Sequence, residues 1–147
     1  MTQAIHASGT LFQRGNGATP TEVFTTLAEI TEIGGPQLES EDIDVTSMDS
    51  NGWREYVAGL KDGGEISIDG NFVPKETTHA QMITDFNAGT VSNYQILLPD
   101  AELDANKSKW TFAAKVKSLE FSHPADGVLG FSAALKISGQ PTLTPGT

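Results

Sequence analysis

Between residues 65 and 73 the sequence EISIDGNFV alternates apolar and polar side chains, with Ile66, Ile68, Gly70 and Phe72 on one side and Glu65, Ser67, Asp69 and Asn71 on the other. Side chains of a strand alternate across its two faces, so the pattern predicts a strand with one face in a core and an acidic, amide-bearing face turned outward. One strand cannot cover its own apolar face or pair its own backbone groups. The rest of the chain must therefore supply neighbouring strands, and its spacing agrees.

A first strand is expected over residues 4–13 (AIHASGTLFQ), ended by the turn-rich Arg14-Gly15-Asn16-Gly17-Ala18-Thr19-Pro20. That glycine-rich turn lacks the spacing of a phosphate cradle and opens no helix, so it reads as a plain connection. Residues 23–33 (VFTTLAEITEI) are β-branched and alternate in their second half, and Gly34-Gly35-Pro36 stops them. Residues 38–46 resume as a strand with Asp42 and Asp44 on one face and Ile43 and Val45 on the other, a half-buried pattern. The stretch from Gly35 to Phe72 as a whole reads as an extended hairpin with aromatics and charges at its tip.

Helical spacing occurs once. After Pro74, Thr78 is placed as N-cap with Gln81 completing a capping box, Met82, Ile83 and Phe86 as the apolar stripe, and Gly89 as the stop. His79, with no second ligand at a suitable spacing, is expected at the surface or as a cap. Further strands are expected at residues 93–99, 110–122 and 128–138. Within 110–122 the apolar side switches after Ser118, from Trp110, Phe112, Ala114 and Val116 to Leu119 and Phe121, which is the signature of a β-bulge. Residues 139–147 (GQPTLTPGT) read as a tail, leaving residues 1–138 as one β domain with a single short helix as its plug.

Length and charge narrow the functional classes. A chain of 147 residues suits one domain that buries roughly 68–70% of its unfolded surface. It has no cysteine, which excludes disulfides and thiolate metal sites and permits a reducing compartment. No stretch approaches the apolar length of a membrane span, and a soluble protein is expected. Nine Lys and Arg against 19 Asp and Glu, a net charge of −10, argue against gripping a nucleic-acid backbone, because such affinity depends on basic residues displacing counterions.

Catalytic and metal chemistry find little support. Ser47-Met48-Asp49-Ser50-Asn51-Gly52 resembles part of a calcium loop, but Ser47 stands at the first ligand position and Ala58 where the bidentate glutamate belongs. No nucleophile elbow occurs, the three histidines have no motif-defined partners, and the Asp42/Asp44 pair is unremarkable in so acidic a chain. No metal and no cofactor are expected. Trp53 and Tyr56, flanking Arg54 and Glu55, leave two readings open: they close one end of the core, or they anchor a subunit contact, where Trp, Tyr and Arg dominate the energetics.

The ordered set EITEIGGP (residues 29–36), DIDVT (42–46) and YVAGLKDGGE (56–65), followed by the 66–72 strand, one helix and a closing hairpin ending ISGQP (137–141), resembles the tail tube proteins of lambda-like long-tailed bacteriophages. The resemblance spans nearly the whole chain. It implies a mainly β fold, a sandwich or barrel-like tail tube protomer with one short flanking α-helix. It implies a structural virion protein, not an enzyme, whose hexameric rings stack into a tube around the tape measure protein. A tail tip or initiator complex and a tail terminator would be its other partners, in the host cytoplasm during assembly and in the phage tail thereafter. The immunoglobulin-like domain that some relatives append is not expected here. DNA would pass through without specific binding, since six copies carry a formal −60 (6 × −10) per ring. Glu65 and Asp69 are the candidate lumen-facing acids. The family's ring-stacking loop corresponds to residues 47–60, which makes Met48, Asp49, Trp53, Arg54, Glu55 and Tyr56 the candidate stacking residues. Two other functions are weighed from the residues alone: a monomeric β-sandwich module that binds a carbohydrate or protein through Trp53 and Tyr56, and an enzyme using acidic pairs.

Overall fold

The computed structural model describes residues 3–19 and 21–147; Met1, Thr2 and Pro20, the last residue of the predicted turn, lie outside the described residues. The chain forms β1 (Leu11–Gly15), β2 (Phe24–Thr26), β3 (Ile30–Gly34), β4 (Glu39–Asp44), β5 (Tyr56–Asp62), β6 (Glu65–Asn71), α1 (Thr77–Ala88), β7 (Val91–Leu97), β8 (Lys109–Ser122) and β9 (Gly130–Thr144). Seven strands make one antiparallel sheet in the order β2-β1-β7-β8-β9-β6-β3, and β4 and β5 pair only with each other. The large sheet curls until β1 touches β3, which makes an open barrel around one core.

The strand that fixed the expectation is β6. Ile66 and Ile68 are fully buried beside Phe131, Ala133, Leu135 and Ile137 of β9, with Phe12, Tyr94, Phe112 and Val116 completing the core. The bulge expected in the 110–122 strand is present: register slips between Val116 and Ser118, so Lys117 has no partner on β9, and Leu119 and Phe121 then pack against the core from the new side. A larger irregularity follows on β9. Ser138 pairs with Ala113 and Thr142 with Thr111, so Phe112 alone faces Gly139, Gln140 and Pro141. Gly139 takes φ +90°, which suits glycine, and the loop-out accommodates a proline inside a strand. Residues 139–144, expected as a tail, are therefore the end of β9, and Gly146 and Thr147 are hydrogen-bonded to Ser108 and Asn106.

Other local expectations shift for identifiable reasons. The first strand is shorter and later than residues 4–13, and Arg14 belongs to it. Residues 23–33 divide into β2 and β3 because Glu29 adopts φ 61° and turns the chain. α1 begins at Thr77 with Glu76 as N-cap and no side-chain cap, because the Thr78 hydroxyl instead accepts the Ala28 N–H at 3.3 Å and Gln81 donates to Asp85 at 3.0 Å. Gly89 ends the helix at φ 67° as expected. The buried face of α1 is His79, Met82 and Asp85, while Phe86 is exposed. His79 is thus interior and not a surface residue. Its Nδ1 accepts the Val73 N–H at 3.1 Å, which leaves Nε2 to donate to the Ala28 carbonyl at 2.7 Å, and the ring lies against Phe72 and Phe131.

Candidate assembly surfaces

The part of the molecule without cover is the β4–β5 arm. All six residues of β4 are exposed, as are all but Gly59 in β5, so the half-buried face expected for residues 38–46 is bare on both sides in the protomer. Nor is residues 35–72 one hairpin. The return strand of the arm is β5, and β6 enters the main sheet beside β3 and β9. The predicted loop at 47–60 is a loop only as far as Glu55, since Tyr56 opens β5.

The tip of the arm is pre-ordered. Ser47 caps the short turn Met48–Ser50 by accepting the Asp49 N–H, and its own N–H donates to the Ser50 hydroxyl at 3.0 Å. The Ser50 hydroxyl also donates to the Glu55 carboxylate, the Glu55 N–H donates to Thr46 Oγ1 at 2.8 Å, and the Val45 N–H to the Glu55 carbonyl at 2.9 Å. Asn51 and Gly52 turn the chain in the left-handed region at φ 54° and 82°, where asparagine and glycine are favoured. The bonded backbone holds apolar side chains in water. Trp53 is 79% exposed, Met48 fully, and Tyr56 and Val57 about half. That excludes the reading in which Trp53 and Tyr56 close the core. Arg54 only brushes Asp44, at 4.0 Å. The six tip candidates, Met48, Asp49, Trp53, Arg54, Glu55 and Tyr56, thus lie together at the end of one arm.

Glu65 and Asp69 lie elsewhere, on the outer face of the barrel. Glu65 is ion-paired with Lys117, the residue that the β8 bulge turns out, and this holds its carboxyl below the usual glutamate range. Asp69 accepts a hydrogen bond from the Ser132 hydroxyl. Beside them Lys136 faces Glu65 across the β9–β6 pair and binds Asp62 at 3.1 Å, so this face carries mixed charge and is not uniformly acidic.

Two features had no local sequence signal. The root of the arm is pressed on the β9 loop-out, with the Ile137 N–H donating to the Gly64 carbonyl at 3.1 Å, and a groove of about 900 Å³ opens there between Leu38, Leu60, Ile137 and Pro141. Inside the barrel, Arg14 makes a two-pronged pair with Asp85 of α1 (2.6 and 2.9 Å) and donates to Ser92 Oγ at 3.2 Å. Among the described residues, no three of His, Asp and Glu gather as they would around a metal ion.

Comparison with known proteins gives one answer. The chain is 26% identical over 141 residues to "Structural protein 3" of Pseudomonas phage PAJU2, covering 85% of each. Its fold matches a tail protein of an empty gene transfer agent particle refined with C6 symmetry (TM-score 0.77, 24% identity, 96% of this chain and 99% of that one). It also matches the SPP1 tail tube (TM-score 0.68, 14% identity, 94% and 76%). The family model described as "Lambda phage tail tube protein, TTP" matches residues 7–144. A curled antiparallel barrel with one helix and an uncovered arm, matched by that family over nearly its whole length, belongs to the lambda phage tail tube proteins.

Proposed function

We propose that the protein closes into rings of six that stack into the tail tube, with the β4–β5 arm carrying the contact between rings. The observation behind this is the arm itself: a tip rigidified by its own hydrogen bonds yet presenting Trp53, Met48 and Tyr56 to water is ordered for a partner. Within a ring, the free edges of β2 and β3, the two ends of the seven-strand order, offer unpaired backbone groups to neighbouring copies. The C6 symmetry of the gene transfer agent tail supports six copies.

The tube would surround the tape measure protein, meet a tip complex and a terminator at its ends, and pass DNA without binding it. It would be built in the host cytoplasm and function in the virion, doing no catalytic work. Glu65 and Asp69 are proposed to face the lumen. With Glu65 neutralised by Lys117, Asp69 is the better source of repulsion toward phosphates.

Negative-stain microscopy of the purified protein tests this reading. Tubes are expected from the native chain. The W53A/Y56A variant should keep native far-ultraviolet circular dichroism and lose long tubes, because truncating an aromatic hot spot of an interface costs about 2 kcal/mol or more. Tubes of unchanged length from that variant would remove the arm tip from the contact. A native chain that stays monomeric at high concentration and binds a glycan or protein through Trp53 and Tyr56 would favour the monomeric module.

A further inference from the structure

We infer that the groove at the root of the arm is the socket for the Trp53-Arg54 tip of a second copy, so that arms join tip to root along the tube. The inference rests on the reading that the arm carries the stacking contact, and adds which surface receives it.

The groove suits that occupant in size and chemistry. About 900 Å³ is within the range that encloses a drug-sized ligand, ample for an indole and a guanidinium. Its apolar lining is Leu38, Leu60, Ile137 and Pro141, of which Leu38 and Leu60 are 61% and 83% exposed and have nothing over them. Glu39, Glu41 and Asp62 bring three carboxylates to the lining against one cation, Lys61. Asp62 is held by Lys136, whereas Glu39 and Glu41 have no ion-pair partner among the described residues.

The tip carries one complementary pair, Trp53 and Arg54, beside the carboxylates Asp49 and Glu55, of which Glu55 is already bound by the Ser50 hydroxyl. Trp53 presents the largest exposed apolar group of the arm, and the Arg54 side chain, 78% exposed, touches only Asp44 at the 4.0 Å limit. Between residues 39 and 62 the arm holds seven carboxylates against Arg54 and Lys61, half of the chain's net charge of −10. Arms laid side by side would therefore repel, and the end-on register is the one that sets the tip cation on the unpaired acids of the root. A tip cannot fill its own socket. Glu39 pairs with Asp62 at one end of the ribbon and Asp44 with Tyr56 at the other, a separation of about 17 Å at the usual strand rise. Tip and root are different patches, so the contact is heterologous, and with an axial step between copies it continues from ring to ring without closing, as axial growth requires.

The chain has no cysteine, so cross-linking reads the contact cleanly. In full-length E39C/R54C the two thiols of one copy are too far apart for a disulfide, which needs Cα atoms within about 7 Å. Oxidation of the concentrated protein should give a ladder of covalent multimers on a non-reducing gel, while E39C and R54C alone stop at dimers or below. The charge exchange E39R/R54E should restore at least part of the tube length that R54E loses. Tubes in micrographs with no ladder and no rescue would overturn the socket and leave the tail tube reading standing. Neither tubes nor ladder would overturn both. A strong E39C dimer within tubes would show root facing root and also overturn it.

Discussion

Arg14 and Asp85 lie 71 positions apart in sequence, yet their pairing is the main polar tie between α1 and the barrel. Asp85 is almost fully buried and is further satisfied by Gln81 and, at 3.5 Å, by the Tyr94 hydroxyl. Burial alone would lower the Arg14 pKa, but the hydrogen bonds and charge of Asp85 outweigh it and raise it, so the guanidinium keeps its charge in the clamp. Tyr94 is the member that titrates in reach. Burial, and next the charge of Asp85, push its hydroxyl up to about 12 from 10. A raised folded-state pKa contributes stability that is complete below the unfolded value and is lost as pH climbs through the folded one. Native protein should therefore lose on the order of 2–3 kcal/mol between pH 10 and 12 that Y94F does not lose. At pH 7 the variant should differ by no more than about 1 kcal/mol, since the bond removed is long. Urea denaturation of both proteins along that pH series checks it, and parallel curves would mean Tyr94 ionises as freely folded as unfolded.

The arm as an element depends on how its root is set. Gly64 has φ +75°, and a Cβ there would sit 2.1 Å from the Gln37 carbonyl oxygen, so a side chain is refused both by the backbone angle and by the connection that leads into β4. Gly52 at the tip has a similar φ of +82° and open space around it. G64A should cost about 2 kcal/mol or more, whereas G52A should cost only the left-handed penalty of about 1 kcal/mol. The comparison of urea midpoints checks this, and equal losses would mean the root is looser than its contacts imply. At this scale much was legible in advance: the alternation of β6, the slip in β8 and the glycine that stops α1 are consequences of side-chain periodicity or of one backbone angle. β5 was not legible, because YVAGLKD is bare on both faces and so carries no alternation. The continuation of β9 was hidden by Gly139 and Pro141, which locally mark an end but here form a loop-out. The N-cap was misplaced because Thr78 bonds across to Ala28, a partner 50 positions away. The tip residues of the arm could be named from sequence. The groove at its root could not, being made where β9 and the arm meet in space.

For the whole molecule, assembly must overcome charge. Each copy carries −10, and copies in a tube stand within one protein diameter of each other. At 0.01 M salt the screening length is about 30 Å, comparable to that spacing, so net repulsion reaches from one copy to the next. At 0.15 M it falls to about 8 Å, and only groups in contact still interact. The attractive terms proposed here, apolar burial of Trp53 and short-range pairing of Arg54 with root acids, are partly withdrawn from water on docking and lose less to salt than the long-range repulsion does. Raising salt over this interval should lower the concentration at which tubes appear, measured by light scattering and confirmed by microscopy. The same series with R54E, which carries −12, should start from a higher threshold and fall more steeply, because it adds repulsion and removes the tip cation. If native tubes instead form most readily at low salt, charge attraction between copies governs growth, and the apolar tip contributes less than its exposure implies.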